Sequence, residues 1–219
     1  MAMNEKFFDL SREKQDRMIN GALEVFSKCG FKHASTDDMV KAVDVSKGLW
    51  FHYFGSKLGL YTFVYGYSVK FLLLELSTAV DMNEQNYFEI VKQMEFAKMK
   101  VSKSYPYMTL FLEQSAKETD PDIISKIAED RRIYRDKISL MLKAGDIPNI
   151  TEKSHKDKIK KIVQYTIEGI VHDKSAEGAE PDAIYREIKS LLDMVSQLAG
   201  GKVQTTPEGM GLMLEPAVF

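Results

Sequence analysis

Apolar residues recur along this chain at three- and four-residue spacing, the period of amphipathic helices, and the pattern predicts an all-α protein. Over residues 11–29, Ile19, Ala22, Leu23 and Phe26 form one stripe, and Gly30 is placed to end that helix. Two short segments follow. Residues 36–43 carry Met39, Val40 and Val43 behind a candidate cap at Thr36; residues 47–54 are capped by Ser46. Asp44 lies between them, one of the few residue types that tolerates a left-handed turn.

Ser56 opens a long helix reaching about residue 78. Both of its faces are apolar, so it reads as a rod between two cores. Later stripes predict helices at about 84–102, 106–117, 121–144, 152–173 and 181–198, punctuated by Pro106, Pro121, Gly145 and Pro181. Beyond residue 199 the helical period stops. These breaks divide the chain into a head (1–57), a helical body (58–199) and an irregular tail (200–219).

Helix, tight turn and second helix is the arrangement that offers a helix to a DNA major groove. Residues 47–54 suit that role. Lys47 stands in the first turn, Gly48 permits close backbone approach, and Phe51, His52 and Tyr53 add apolar and hydrogen-bonding contacts. Lys57 follows as a candidate phosphate clamp, while Trp50 and Phe54, four apart, are expected to face inward.

Charge alone announces no polyanion partner. The net charge is -2, and residues 1–60 hold nine basic against eight acidic side chains. Any basic footprint must be local, and Lys41, Lys47 and Lys57 supply it. A lone Cys29 excludes an internal disulfide and fits a reducing cytoplasm. The N-terminus lacks a secretory pattern, and Lys70 with several tyrosine and threonine hydroxyls argues against a membrane span at 58–74.

Thr36, Met39-Val40, Val45-Ser46-Lys47-Gly48, the aromatic run 50–54 and Ser56-Lys57 with Leu60 resemble the N-terminal signature of the tetracycline-repressor (TetR) family. Ala22, Phe26 and Gly30 fall where that family's first helix and its terminating glycine do. The resemblance covers roughly residues 12–62. It departs at Asp44, where the family has a turn glycine, at Phe51, where tyrosine is common, and at Asp37, where some members are basic.

The fold so implied is a three-helix helix-turn-helix DNA-binding head, joined by a long helix to a C-terminal ligand-binding and dimerisation bundle. Its expected function is that of a cytoplasmic, nucleoid-associated transcriptional regulator, a ligand-responsive repressor binding a palindromic operator as a homodimer. Thr36, Tyr53 and Lys57 are expected at phosphates, and Lys47, Gly48, Phe51 and His52 nearest the bases.

In the body we find no catalytic motif, and no cofactor is expected. Glu168 and His172 share a helix face, which suits a metal ion but suits an ordinary local pair better. Met94, Phe96, Met108, Phe111, Tyr134 and Met141 are candidates to line a site for a small apolar or amphipathic effector, or equally to form close-packed core. The resemblance favours a pocket. It also implies a four-helix dimer interface from the last two helices, with Ile159, Val163, Ile167, Ile170, Ile188, Leu192 and Val195 as candidates. Those stripes also suit packing within one subunit. The alternative reading of the whole chain is a helical small-molecule carrier that does not bind DNA.

Overall fold

The computed structural model describes residues 5–43 and 45–199. Asp44, expected in the turn, and the tail 200–219 lie outside the described residues. A 3-10 turn, Glu5–Asp9, leads into α1 (Arg12–His33), α2 (Thr36–Val43), α3 (Lys47–Phe54) and α4 (Lys57–Ala79). The body continues with α5 (Tyr87–Ser104), α6 (Met108–Ala116), α7 (Pro121–Lys143), α8 (Lys153–Ala176) and α9 (Pro181–Ala199). No strand occurs among the described residues; Asn86 and Asp146 form an isolated bridge between two loops.

Side-chain caps set the helix starts. Ser46 Oγ accepts the Leu49 N–H at 3.2 Å, Ser56 Oγ accepts that of Gly59 at 3.0 Å, and Asn86 Oδ1 accepts that of Phe88 at 2.9 Å. Asp120 caps α7 with Pro121 in its first turn. The cap of α2 is Ser35 rather than Thr36: its Oγ accepts the Asp37 N–H at 3.1 Å, and Thr36 is already helical. Within α1, Gly30 has φ 64° and ψ 173°, a break only glycine adopts without strain. One further turn follows it, closed by the Ala34 N–H on the Gly30 carbonyl at 3.1 Å.

One buried apolar cluster runs from Phe7 through the faces of α1 to α6 and on to Met141 of α7. The long α4 belongs to it along both of its faces, so head and upper body share a core. A second cluster joins Tyr87, Phe88 and Val91 of α5 and Ile147 to α8 and α9. On the outer side of α5, Lys92 pairs with Asp193 and Lys103 with Asp182, and the rings of Phe96 and Tyr185 lie 5.5 Å apart. These contacts hold α9 antiparallel to α5.

A polar clamp fixes α1 to the body. The Tyr105 hydroxyl donates to Asp16 Oδ1 at 2.5 Å and lies 2.6 Å from that of Tyr67; Asn20 Nδ2 donates to the Ser104 carbonyl at 3.1 Å. Burial raises the Tyr105 hydroxyl above its ordinary pKa, and the bonds to Asp16 and Tyr67 raise it further. It therefore stays a donor throughout the physiological range. No helix of the described residues is long and apolar enough to cross a membrane.

Candidate nucleic-acid interface

The amphipathic split of α3 decides what the head presents. Trp50 and Phe54 are buried, and the Phe7 ring packs on Phe54 at 5.2 Å. On the opposite face Lys47, Gly48, Phe51 and His52 are exposed, Phe51 by 42%. Its ring borders the core at the edge of a crevice rather than filling it. Thr36 is half-buried in a crevice shared with Phe51 and Lys57, so residues from α2, α3 and α4 meet along one surface.

Gly59 makes this packing possible. A Cβ built there would lie 2.1 Å from the Phe54 carbonyl oxygen, so α4 approaches the end of α3 as no other residue would allow. At Gly48 nothing lies within 4 Å of a built Cβ. That glycine is unneeded for the fold and leaves bare backbone on the exposed face.

Two expected DNA contacts have structural employment. Tyr53 is buried, its ring 5.8 Å from and edge-on to Phe7, whereas His52 beside it is exposed. Lys57 Nζ donates to the carbonyls of Phe31 at 2.9 Å and Ala34 at 3.1 Å and sits 4.5 Å over the Phe31 ring. It thus closes the far end of α1. An ammonium has three donors, so one remains for a phosphate. Lys57→Met is expected to lower unfolding free energy by about 1–3 kcal/mol without DNA present, through two carbonyls left without a charged donor. Thermal denaturation checks this; a residue serving DNA alone would leave Tm unchanged.

Lys47 is paired as well. Its Nζ lies 2.8 Å from Asp37 Oδ1 of α2, with half or more of each side chain exposed. The sequence marks Asp37 as a departure from the family's pattern; that it faces Lys47 follows only from the packing of α2 against α3.

In the body, Met94, Met108, Phe111 and Met141 are buried in the main core, and Tyr134 is half-buried against it. Phe96 departs from the expected group: it is exposed and turned to Tyr185 on α9. The polar groups among these helices were missed. Glu95, buried, holds Lys98 at 2.7 Å, and Tyr134 and Glu113 are close enough to influence the charge on Lys98. Burial opposes the Lys98 charge, but Glu95, Tyr134 and Glu113 together outweigh it and the lysine pKa rises. Burial raises the Glu113 carboxyl as well. The i, i+3 spacing of Glu95 and Lys98 inside an apolar stripe was the available signal. Glu168 accepts from Gln164 at 2.9 Å and His172 lies 3.1 Å from Asp173, each a local pair.

Four of the expected dimer residues have structural employment within the subunit. Val163, Ile167, Ile188 and Leu192 are buried inside the subunit, and Ile159, Ile170 and Val195 pack against them. The apolar residues that α8 and α9 turn outward are Ile162, Tyr165, Met194 and Leu198, each more than half exposed. Each helix carries two adjoining stripes, and periodicity alone does not say which one a subunit keeps.

Residues 18–62 match the model of bacterial regulatory proteins of the tetR family. No curated protein matches the chain significantly. Among solved structures it is similar to a TetR-like transcriptional regulator from Rhodococcus sp. RHA1, with 19% identity over 88% of this chain and 100% of that one, TM-score 0.57. A TetR family transcriptional regulator from Chloroflexus aurantiacus J-10-fl is 13% identical over 92% of this chain and 98% of its own, TM-score 0.58. The fatty acid degradation regulator FadR from Bacillus halodurans is 17% identical over 90% and 100%, TM-score 0.56. At these identities the likenesses establish the shared fold. The head, residues 18–62, thus matches the family of bacterial regulatory proteins of the tetR type, and the chain as a whole shares the fold of these solved regulators.

Proposed function

We propose that this chain is a ligand-responsive repressor that binds a palindromic operator as a homodimer. The observation that carries the reading is the outward face of α3, where Lys47, Gly48, Phe51 and His52 stand exposed on a helix anchored through Trp50 and Phe54. Lys47 and Gly48 would approach base edges and phosphates, Phe51 a thymine methyl, and Thr36 and the third donor of Lys57 the flanking phosphates.

Dimerisation is supported by the outer stripe of Ile162, Tyr165, Met194 and Leu198, an apolar face that nothing among the described residues covers. Gly169 lies on the same side of α8, and a built Cβ there meets nothing within 4 Å, leaving room for a partner helix. The effector we assign to the body is small and amphipathic, with apolar contacts from Met94, Met141 and Tyr134 and a polar handle from Glu95, Lys98 and Glu113. The clamp between Tyr105 and Asp16 would carry its effect to the head. Such control requires the effector to bind the non-DNA geometry more tightly, by a few kcal/mol for a useful shift.

Capture of genomic fragments by the purified protein tests the reading. An inverted repeat is expected among the captured sequences, and Lys47→Ala should weaken its binding at least about tenfold and flatten the salt dependence. Flow-through of all fragments at low salt, or an unchanged salt slope in Lys47→Ala, would contradict it.

A further inference from the structure

The head presents a recognition lysine that is already held by a carboxylate. Lys47 Nζ and Asp37 Oδ1 are 2.8 Å apart, the first residue on α3 and the second in the first turn of α2, both on the face opposite the core. Neither the cap nor the core of α2 uses Asp37. The α2 cap is made by Ser35, and the core contacts of α2 come from Met39 and Val43, both buried. Asp38 supplies a second carboxylate to the same helix start. A carboxylate that neither the cap nor the core of α2 uses, on the face read as DNA-binding, therefore needs its own account.

Resting on the DNA-binding reading above, we propose that Asp37 is a specificity-determining residue that holds Lys47 away from non-specific phosphates. A duplex of any sequence attracts an ammonium through its phosphates, and that sequence-independent attraction dominates binding to random DNA. On random DNA, Asp37 competes with a diffuse phosphate field at contact distance and cancels most of what Lys47 adds. On the operator, Lys47 meets an acceptor fixed at hydrogen-bond distance, which competes on equal terms and releases it from Asp37. The pair is exposed, so the exchange is cheap in either direction. The near balance of basic and acidic side chains across residues 1–60 agrees with a head that limits its pull on DNA in general.

The test is a double-mutant cycle on the full chain with two probes: a random-sequence duplex, and a duplex selected by the wild-type protein from a randomised pool. Asp37→Asn keeps the side-chain shape and removes the charge. It is expected to bind the random duplex about two- to fivefold more tightly, with a salt slope steeper by up to about one for each Lys47 released. The selected duplex gains less, so the ratio of the two affinities falls. In a Lys47→Gln background the same change should have a much smaller effect, because Asp37 acts through Lys47.

An equal gain on both duplexes overturns the proposal. So does a gain undiminished in Lys47→Gln, which would mark Asp37 as a plain repeller of phosphate. No gain at all overturns it too, provided the wild type binds the selected duplex. Failure of the wild type to select any duplex removes the DNA reading itself, a distinct outcome. Matching melting curves of wild type and Asp37→Asn confirm that the comparison is between folded proteins.

Discussion

Ile162→Glu is expected to yield a folded protein that sediments as a single chain and binds its operator at least about a hundredfold more weakly. The side chain is 60% exposed within the subunit, so a carboxylate there leaves the subunit's own core untouched. In a two-fold interface the same substitution occurs twice, and each charge is buried among apolar side chains of the partner. The penalty of several kcal/mol falls wholly on association. DNA binding is expected to drop because a lone subunit would bring one copy of α3 to the proposed operator's two half-sites. Val163→Glu is the wrong experiment despite being the neighbouring residue, since Val163 is 1% exposed and its replacement attacks folding instead. Sedimentation velocity decides: an Ile162→Glu protein that remains a dimer moves the interface away from α8.

Gly59→Ala should damage the head more than any other single methyl. The added carbon would lie 2.1 Å from a backbone oxygen, and backbone, unlike the end of a long side chain, cannot swing aside. Either α3 and α4 separate or the last turn of α3 unwinds. A loss of about 3 kcal/mol follows from overpacking of this severity, roughly 6–12 °C in Tm for a chain of this size. Gly48→Ala is the matched control. It meets nothing within 4 Å, replaces a poor helix former by the best, and should leave Tm equal or higher while weakening DNA binding. Equal melting temperatures for Gly59→Ala and wild type would mean that α3 and α4 do not approach as closely as described.

Much of this architecture was legible before any coordinates. Caps at Ser46 and Ser56, the helix start at Pro121 and breaks at Gly30 and Gly145 act locally, so residue type and position sufficed to place them. The inward turn of Trp50 and Phe54 followed from their spacing in the same way. What escaped depended on neighbours distant in sequence. Lys57 reads as an exposed cation until the end of α1 is brought beneath it, 23 and 26 residues away in the chain. The hold of Asp37 on Lys47 exists only once the turn sets α2 against α3. On α8, Ile162 and Val163 are equally apolar and adjacent, and only the packing of α9 and α5 makes one core and the other surface. Periodicity counts stripes; tertiary contacts choose among them.

Two copies of α3, held by one dimer, are expected to enter one duplex together. Hydroxyl-radical footprinting of the wild-type protein on its selected duplex, with the mass of the complex measured in parallel, tests it most directly. Two protected half-sites are expected, their centres one helical turn of about 34–36 Å or a multiple apart, each lost together on Lys47→Ala. A single protected patch carrying one chain would contradict it.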